Sequence, residues 1–320
     1  MPDQPSAEER ADHAERDLGL IAIRSGLPFI ITDHPTMRKW SLRIVFAIVL
    51  LTVCGEVVLR MRGYDQLPVF VADPRFEYMT APGQDLHAGG VRFTTNAFGM
   101  RCGPIGAKKR KRVLVIGDSV INGGLSSTQD SLATSIAAVA AGAEVLNCSA
   151  PSWGPDNAAA FLDTHGHFDA DLVIAVFSSH DAFDRMTFEP IVGHHPAYPD
   201  HRPRLALEAY VDKLLYTASG TPSADSTFNE GWKRSANQAR AAILPFVVVL
   251  HPETLEVEQQ RYDARGQQVL DSLRAWRVPV VEMLGRMNSR MYWDNIHLND
   301  HGQRALGAAL EAIIRSNGGN

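Results

Sequence analysis

From residue 113 to the C-terminus, short apolar runs alternate with longer stretches of mixed polarity, a rhythm that few folds share. Val113–Ile116 (VLVI) is apolar throughout, the pattern of a strand covered on both faces. Val145 and Leu146, Leu172–Phe177 (LVIAVF), Ile243–Leu250 (ILPFVVVL) and Val278–Val281 repeat it. A helix is expected over Thr128–Ala141, with Ser126, Ser127 and Thr128 as cap candidates and Gly142 as its stop. A second runs from Pro155 to Gly166, with proline at the entrance and glycine at the exit. A charged helix is expected over Glu253–Trp276 and a closing one over His301–Arg315. Strands alternating with helices imply an α/β fold, a parallel sheet covered on both faces that binds ligands beyond the carboxyl ends of its strands.

A second feature lies upstream. Ile44–Leu59 reads IVFAIVLLTVCGEVVL, with Arg43 before it and Arg60 and Arg62 after it. Sixteen helical residues span about 24 Å against a hydrocarbon core of about 30 Å. The flanking arginines close the gap by sending their charged heads to the interfaces. Trp40 and Tyr64 stand where interfacial aromatics collect. Glu56 interrupts the run, one helical turn before a partner in Arg60. More than forty residues precede the run and no small-residue cleavage site follows it, so a membrane anchor is expected over 41–62 rather than a signal peptide. Arg24, Arg38, Lys39 and Arg43 before the span, against Arg60, Arg62 and Arg75 after it, favour a cytoplasmic N-terminus and an extracytoplasmic remainder. Residues 1–40 are then a polar tail and 63–111 a lead-in with short β pieces such as Val91–Thr95.

The alternation breaks between about Phe183 and Ala242, an insertion carrying HHPAYPDHRPR. So long an irregular stretch in a compact domain is usually functional or mobile, and a cap or substrate-binding excursion is expected. The net charge of −5 disfavours a nucleic-acid binder, which needs a basic face. The basic run Lys108–Arg112 is expected as a solvated connection into the first strand. Three cysteines, Cys54, Cys102 and Cys148, are too few for a disulfide scaffold. A Cys102–Cys148 bridge is conceivable, but Cys148 sits in a strand-like run and reads as a buried thiol. His194, His195 and His201 match no zinc-ligand spacing, and the glycines of 117–124 lack the G-K-[ST] of a phosphate loop. No metal or cofactor is expected.

Two motifs carry chemistry. Gly117-Asp118-Ser119 follows the first strand directly, which exposes a serine hydroxyl at the active edge of the sheet. It is not the G-x-S-x-G elbow, because Ile121 fills the second glycine position. Far away, Asp294 stands three residues before His297, just ahead of the last helix. An aspartate so placed can bond one imidazole nitrogen and leave the other to take a serine proton.

Together these motifs resemble the SGNH/GDSL hydrolase family, over roughly Val91 to Ile314. The Asn96–Gly99–Arg101 pattern is similar to the segment before the nucleophile in membrane-anchored bacterial members. Asn147–Asn157 (NCSAPSWGPDN) resembles the loop after the second strand, which bears an oxyanion-hole glycine, and Ser178–Asp181 (SSHD) the loop after the third. The resemblance implies a flavodoxin-like three-layer α/β/α fold with a mainly parallel five-stranded sheet over 112–320. It also implies Ser119 as nucleophile, His297 as base and Asp294 as its orienting partner. The implied oxyanion donors are Ser119, Ser152 (or Gly154) and His180, with Ser152 at the glycine position and His180 where the family has asparagine. The expected function is a membrane-anchored serine esterase or acyltransferase, acting on an acyl ester such as an acetylated envelope glycan. The alternative is a non-catalytic carbohydrate-binding relative whose oxyanion hole His180 has degraded.

Overall fold

A computed structural model describes residues 35–216 and 227–317. The first 34 residues of the expected polar tail, and 217–226 of the insertion, lie outside the described residues. The apolar run is helical, α1 (Pro35–Met61). Within it Lys39–Met61, at a mean hydropathy of 2.4, is long and apolar enough to cross a membrane. Phe46 and Leu51 are exposed along it. Glu56 and Arg60 pair at 2.6 Å as their spacing predicts.

The lead-in forms two antiparallel hairpins, β1 (Phe70–Asp73) with β2 (Glu77–Thr80) and β3 (Asp85–Ala88) with β4 (Val91–Thr94). The alternation then begins with β5 (Arg112–Gly117), α2 (Ser119–Asn122), α3 (Ala133–Ala141), β6 (Glu144–Ser149), α4 (Pro155–His165) and β7 (Leu172–Ser178). It continues through α5 (Ala206–Leu215), α6 (Gly231–Ala241), β8 (Phe246–His251), α7 (Thr254–Gln259), α8 (Ala264–Ala275), β9 (Val280–Glu282) and α9 (Asp300–Ser316). Strands β5 to β9 make one sheet in the order β6-β5-β7-β8-β9, every pair parallel. Numbered from β5, that order is the flavodoxin-like 2-1-3-4-5.

Period-two alternation builds the layers. Leu114, Ile116, Val173, Ala175 and Phe177 pack with Phe161, Trp232 and Leu270 from α4, α6 and α8. Val113, Val115, Ile174 and Val176 pack on the other face with Ala137, Leu306 and Leu310 from α3 and α9. A fully buried Leu, Ile or Phe contributes about 1.5–3 kcal/mol relative to exposure, so these two faces hold the molecule together. Cys148 is buried, and the cysteines are free thiols.

Several boundaries differ from expectation, each for a local reason. Thr128 does not cap α3. A 3₁₀ turn (Gln129–Ser131) and the extended, fully buried Leu132 intervene, and the Ala133 N–H donates to Gln303 Oε1 of α9 at 2.8 Å. The fourth strand starts at Phe246 rather than Ile243, because Ile243 sits in the left-handed region (φ 56°) to close α6 and Pro245 follows. The charged helix is two helices. Gln260 is left-handed (φ 52°) at the end of α7, and Asp263 caps α8 through the Arg265 and Gly266 amides. The insertion is less irregular than expected: α5 lies within it, and α6 is the crossover helix between β7 and β8, packed on α4. The basic run is only partly solvated. Arg112 is buried and bonded to Glu144 at 2.8 Å, and Lys111 Nζ donates to the Ile314 carbonyl.

Candidate active site

In a 2-1-3-4-5 sheet the chain reverses direction beside the first strand, and the crevice beyond the carboxyl ends opens there. β5 therefore delivers Gly117-Asp118-Ser119 to the crevice, between the loops that follow β6 and β7. A Cβ on Gly117 would stand 2.5 Å from the Val176 carbonyl of β7, so glycine is required for the strands to close here. Asp118 caps α2 through the Val120 N–H at 2.9 Å, which fixes Ser119 as the first residue of that turn. Gly123 ends it in the left-handed conformation (φ 68°), which costs other residues roughly 1–2 kcal/mol.

The far motif arrives on the loop before α9. Asp294 Oδ1 accepts the Ile296 and His297 amides at 2.9 and 2.7 Å, an Asx-type turn. Its Oδ2 meets His297 Nδ1 at 2.7 Å, and His297 Nε2 stands 2.9 Å from Ser119 Oγ. Residues 178 positions apart thus form one hydrogen-bonded chain, within the reach general-base chemistry needs. Burial raises the Asp294 carboxyl, but hydrogen bonds from the His297 and Ile296 amides and from the imidazole outweigh it and hold the group below its ordinary value. Asp294 nonetheless stays exposed. Gln303 of α9 donates to the Val120 carbonyl at 3.2 Å while accepting from Ala133, tying the closing helix to the serine's own turn.

The expected oxyanion residues fare differently. Ser119 opens α2, where a helix leaves its first N–H groups without intrahelical acceptors. Ser152 sits in the left-handed region (φ 55°) and its Oγ accepts from the Tyr198 hydroxyl at 2.9 Å, so serine holds a backbone shape that glycine adopts more readily. Gly154 is a correction: its N–H donates to Asn157 Oδ1 at 2.9 Å in the cap of α4, which leaves it no free proton for a substrate. His180 lies in the loop after β7 with its ring nitrogens toward carboxylates, Nε2 3.5 Å from Asp181 Oδ1 and Nδ1 3.8 Å from Glu253 Oε1.

Beneath the serine is an unusual acid pair. Asp118 and Asp181 are buried, and Asp118 Oδ2 and Asp181 Oδ1 have no hydrogen-bond partner. Burial first, then the charge of Asp181, pushes Asp118 up to about 7 despite His180, the Val120 amide and His297. Burial likewise holds Asp181 well above the ordinary carboxylate range. One ligand atom each of Asp118, His180 and Asp181 lie within 4.8 Å of one another, the donor set among the described residues that could hold a cation.

Three supports were missed or only partly read in the sequence. Fully buried Arg101 donates to the carbonyls of Asn122, of Gly124 at 2.7 Å and of Ser127 at 2.6 Å, with its guanidinium 4.4 Å over Phe93. It therefore cages the loop behind the serine; the Asn96–Arg101 pattern was its only signal. Asn147 Nδ2 donates to the Ile121 carbonyl at 2.9 Å and holds the same turn from β6. His251, at the end of β8, is buried with Nε2 3.0 Å from the Ile296 carbonyl. Burial pulls its imidazole down to about 4, so it donates as a neutral ring. Nothing in its local sequence marks it.

Solved structures resemble this chain. A carbohydrate acetylesterase family member from Sinorhizobium meliloti is 19% identical, over 65% of this chain and 98% of its own, with a TM-score of 0.40. A member of the lipolytic protein G-D-S-L family from Veillonella parvula is 12% identical over 64% and 99%, with a TM-score of 0.41. The aryl esterase of M. smegmatis is 20% identical over 64% and 99%, with a TM-score of 0.36. No family model and no curated protein matches the chain.

Proposed function

We propose that the chain is a membrane-anchored serine esterase or acyltransferase of the SGNH/GDSL type. The observation that carries this is the unbroken hydrogen-bond chain from Ser119 Oγ through His297 to Asp294. The serine stands on a recess of about 140 Å³ bordered by Gly124, Pro151 and His297, room for the reacting ester group. His297 Nε2 takes the Ser119 proton as Oγ bonds to the ester carbonyl carbon. The amides of Ser119 and Ser152 hold the developing oxyanion, with His180 as a further donor. The carbon–alkoxy bond then breaks, His297 returns the proton to the leaving alcohol, and water or an acceptor alcohol resolves the acyl-enzyme. An acetyl ester of an envelope glycan belongs to this substrate class. Lys39–Met61 anchors the chain, with the catalytic part on the extracytoplasmic side.

The test is turnover of p-nitrophenyl acetate by the wild type and by Ser119→Ala. The variant is expected to lose activity by at least 10³-fold, and full activity in it refutes the mechanism. The carbohydrate-binding alternative draws on the carboxylate-facing ring of His180. It predicts no turnover even in the wild type.

A further inference from the structure

A larger cavity of about 480 Å³ adjoins the Ser119 recess, the two sharing Gly124 and Pro151 in their walls. Its volume is that of a small-molecule pocket. Phe70, Phe93, Leu125 and Tyr198 make its body, and Ala209 and Lys213 of α5 form one side. Apart from Leu125, which lies in the loop after α2, these residues come from the lead-in and the insertion and not from the parallel sheet, so most of the cavity is an addition to the fold beside the serine.

The position of α5 says where such a cavity opens. Glu56, inside the membrane-length part of α1, accepts the Ala206 and Leu207 amides at 3.0 and 2.9 Å. Arg60 donates to the Arg204 carbonyl at 2.7 Å, and Tyr64 meets Tyr210 edge-on at 5.5 Å. The start of α5 is therefore held level with a residue five positions before the end of the span. While Ala206 and Ala209 are buried, Val211, Leu214 and Leu215 face outward, the last two 64% and 74% exposed. With Leu207 they form a stripe at i, i+4, i+7 and i+8, the pattern of a helix lying in a bilayer interface. Lys213 lies on the side of Ala206 and Ala209, in the cavity wall, while Glu208 and Asp212 flank the stripe.

We propose that α5 lies in the bilayer surface and that the 480 Å³ cavity takes the aliphatic acyl chain of a membrane amphiphile, whose ester is presented to Ser119 along this helix. The proposal rests on the esterase reading and adds its substrate class: an acyl ester with a chain well beyond acetyl, drawn from the membrane. No new chemical step is added; the acyl group that moves to Ser119 Oγ is the one whose tail fills the cavity.

The full chain in phosphatidylglycerol–phosphatidylethanolamine vesicles tests it in two ways. kcat/KM for p-nitrophenyl octanoate should exceed that for the acetate by roughly 10²-fold or more, since each buried methylene is worth about fourfold. Ala209→Phe, and Ala197→Phe at the exposed rim should the first disturb α5, should each lower the octanoate-to-acetate ratio at least tenfold. Separately, a diazirine-bearing fatty acyl chain in the vesicles should cross-link within 206–216 and around Tyr198 whether or not esters turn over. Adducts there without turnover of either ester leave the chain site standing and remove the esterase. Acetate turnover with no chain-length preference, or adducts confined to α1, overturns the chain site and leaves the esterase.

Discussion

Asp294 binds two backbone amides and the imidazole from an exposed position, so solvent already helps stabilise the imidazolium that forms. Asp294→Asn keeps an oxygen for the amides but removes the charge and reverses the donor facing Nδ1. kcat should fall by about 10²–10³-fold, less than the ~10⁴ seen where the aspartate is buried; steady-state kinetics on p-nitrophenyl acetate measures it. Ser152 should behave differently, since only its N–H is asked to act. Ser152→Gly is expected to hold kcat within about threefold, and a loss near 10²-fold, the size of a missing oxyanion donor, would mean that the hydroxyl itself takes part. For Asp118 the sign of the pH effect follows from its raised value. The folded state keeps a proton that the unfolded chain releases above about 3.8, so this contribution is full below 3.8 and is lost as pH rises through about 7. Asp118→Asn, which cannot ionise, should therefore gain in Tm relative to wild type between pH 4 and pH 8. A constant difference across that range contradicts the assignment.

At the scale of elements, the site depends on ties between segments far apart in sequence. Gln303 of α9 serves Ala133 and Val120 at once. Gln303→Leu strands a buried amide and a buried carbonyl, and should cost about 1–3 kcal/mol for each by urea unfolding. His251 holds the loop of His297 as a neutral ring. Its depressed value means that its contribution is present above about 6.5 and lost as pH falls through about 4. His251→Gln should flatten the acid limb of the stability curve between those values. The two motifs were legible because each chemical residue sits beside a strong local signal, a buried strand before Ser119 and a helix start after His297. His251 and Gln303 were not, because their roles come from tertiary neighbours 45 and 170 residues away. Helix α6 was missed for a related reason: GWKRSANQARA is mostly polar, and only Trp232, Ala236 and Ala239 mark its buried stripe. Gly154 misled because its place beside the expected oxyanion position is equally that of a helix cap.

For the whole molecule, a parallel sheet covered on both faces was legible in the alternation of buried strands and helices and its flavodoxin-like form only through the family resemblance, whereas the cavity beside the serine needed segments with no periodicity to read. Phe70, Phe93 and Tyr198 meet only once the lead-in and insertion fold onto the sheet. Anchoring through Lys39–Met61 predicts that the chain stays with membranes in alkaline carbonate and leaves them only in detergent. Release by carbonate would make α1 a surface-bound helix instead. Activation of Ser119 as a nucleophile by His297 is tested by a fluorophosphonate probe followed by peptide mapping. One adduct is expected, on Ser119, lost in Ser119→Ala and formed far more slowly in His297→Ala. An unlabelled Ser119 in folded protein that still hydrolyses esters, or an adduct on another residue, would contradict it.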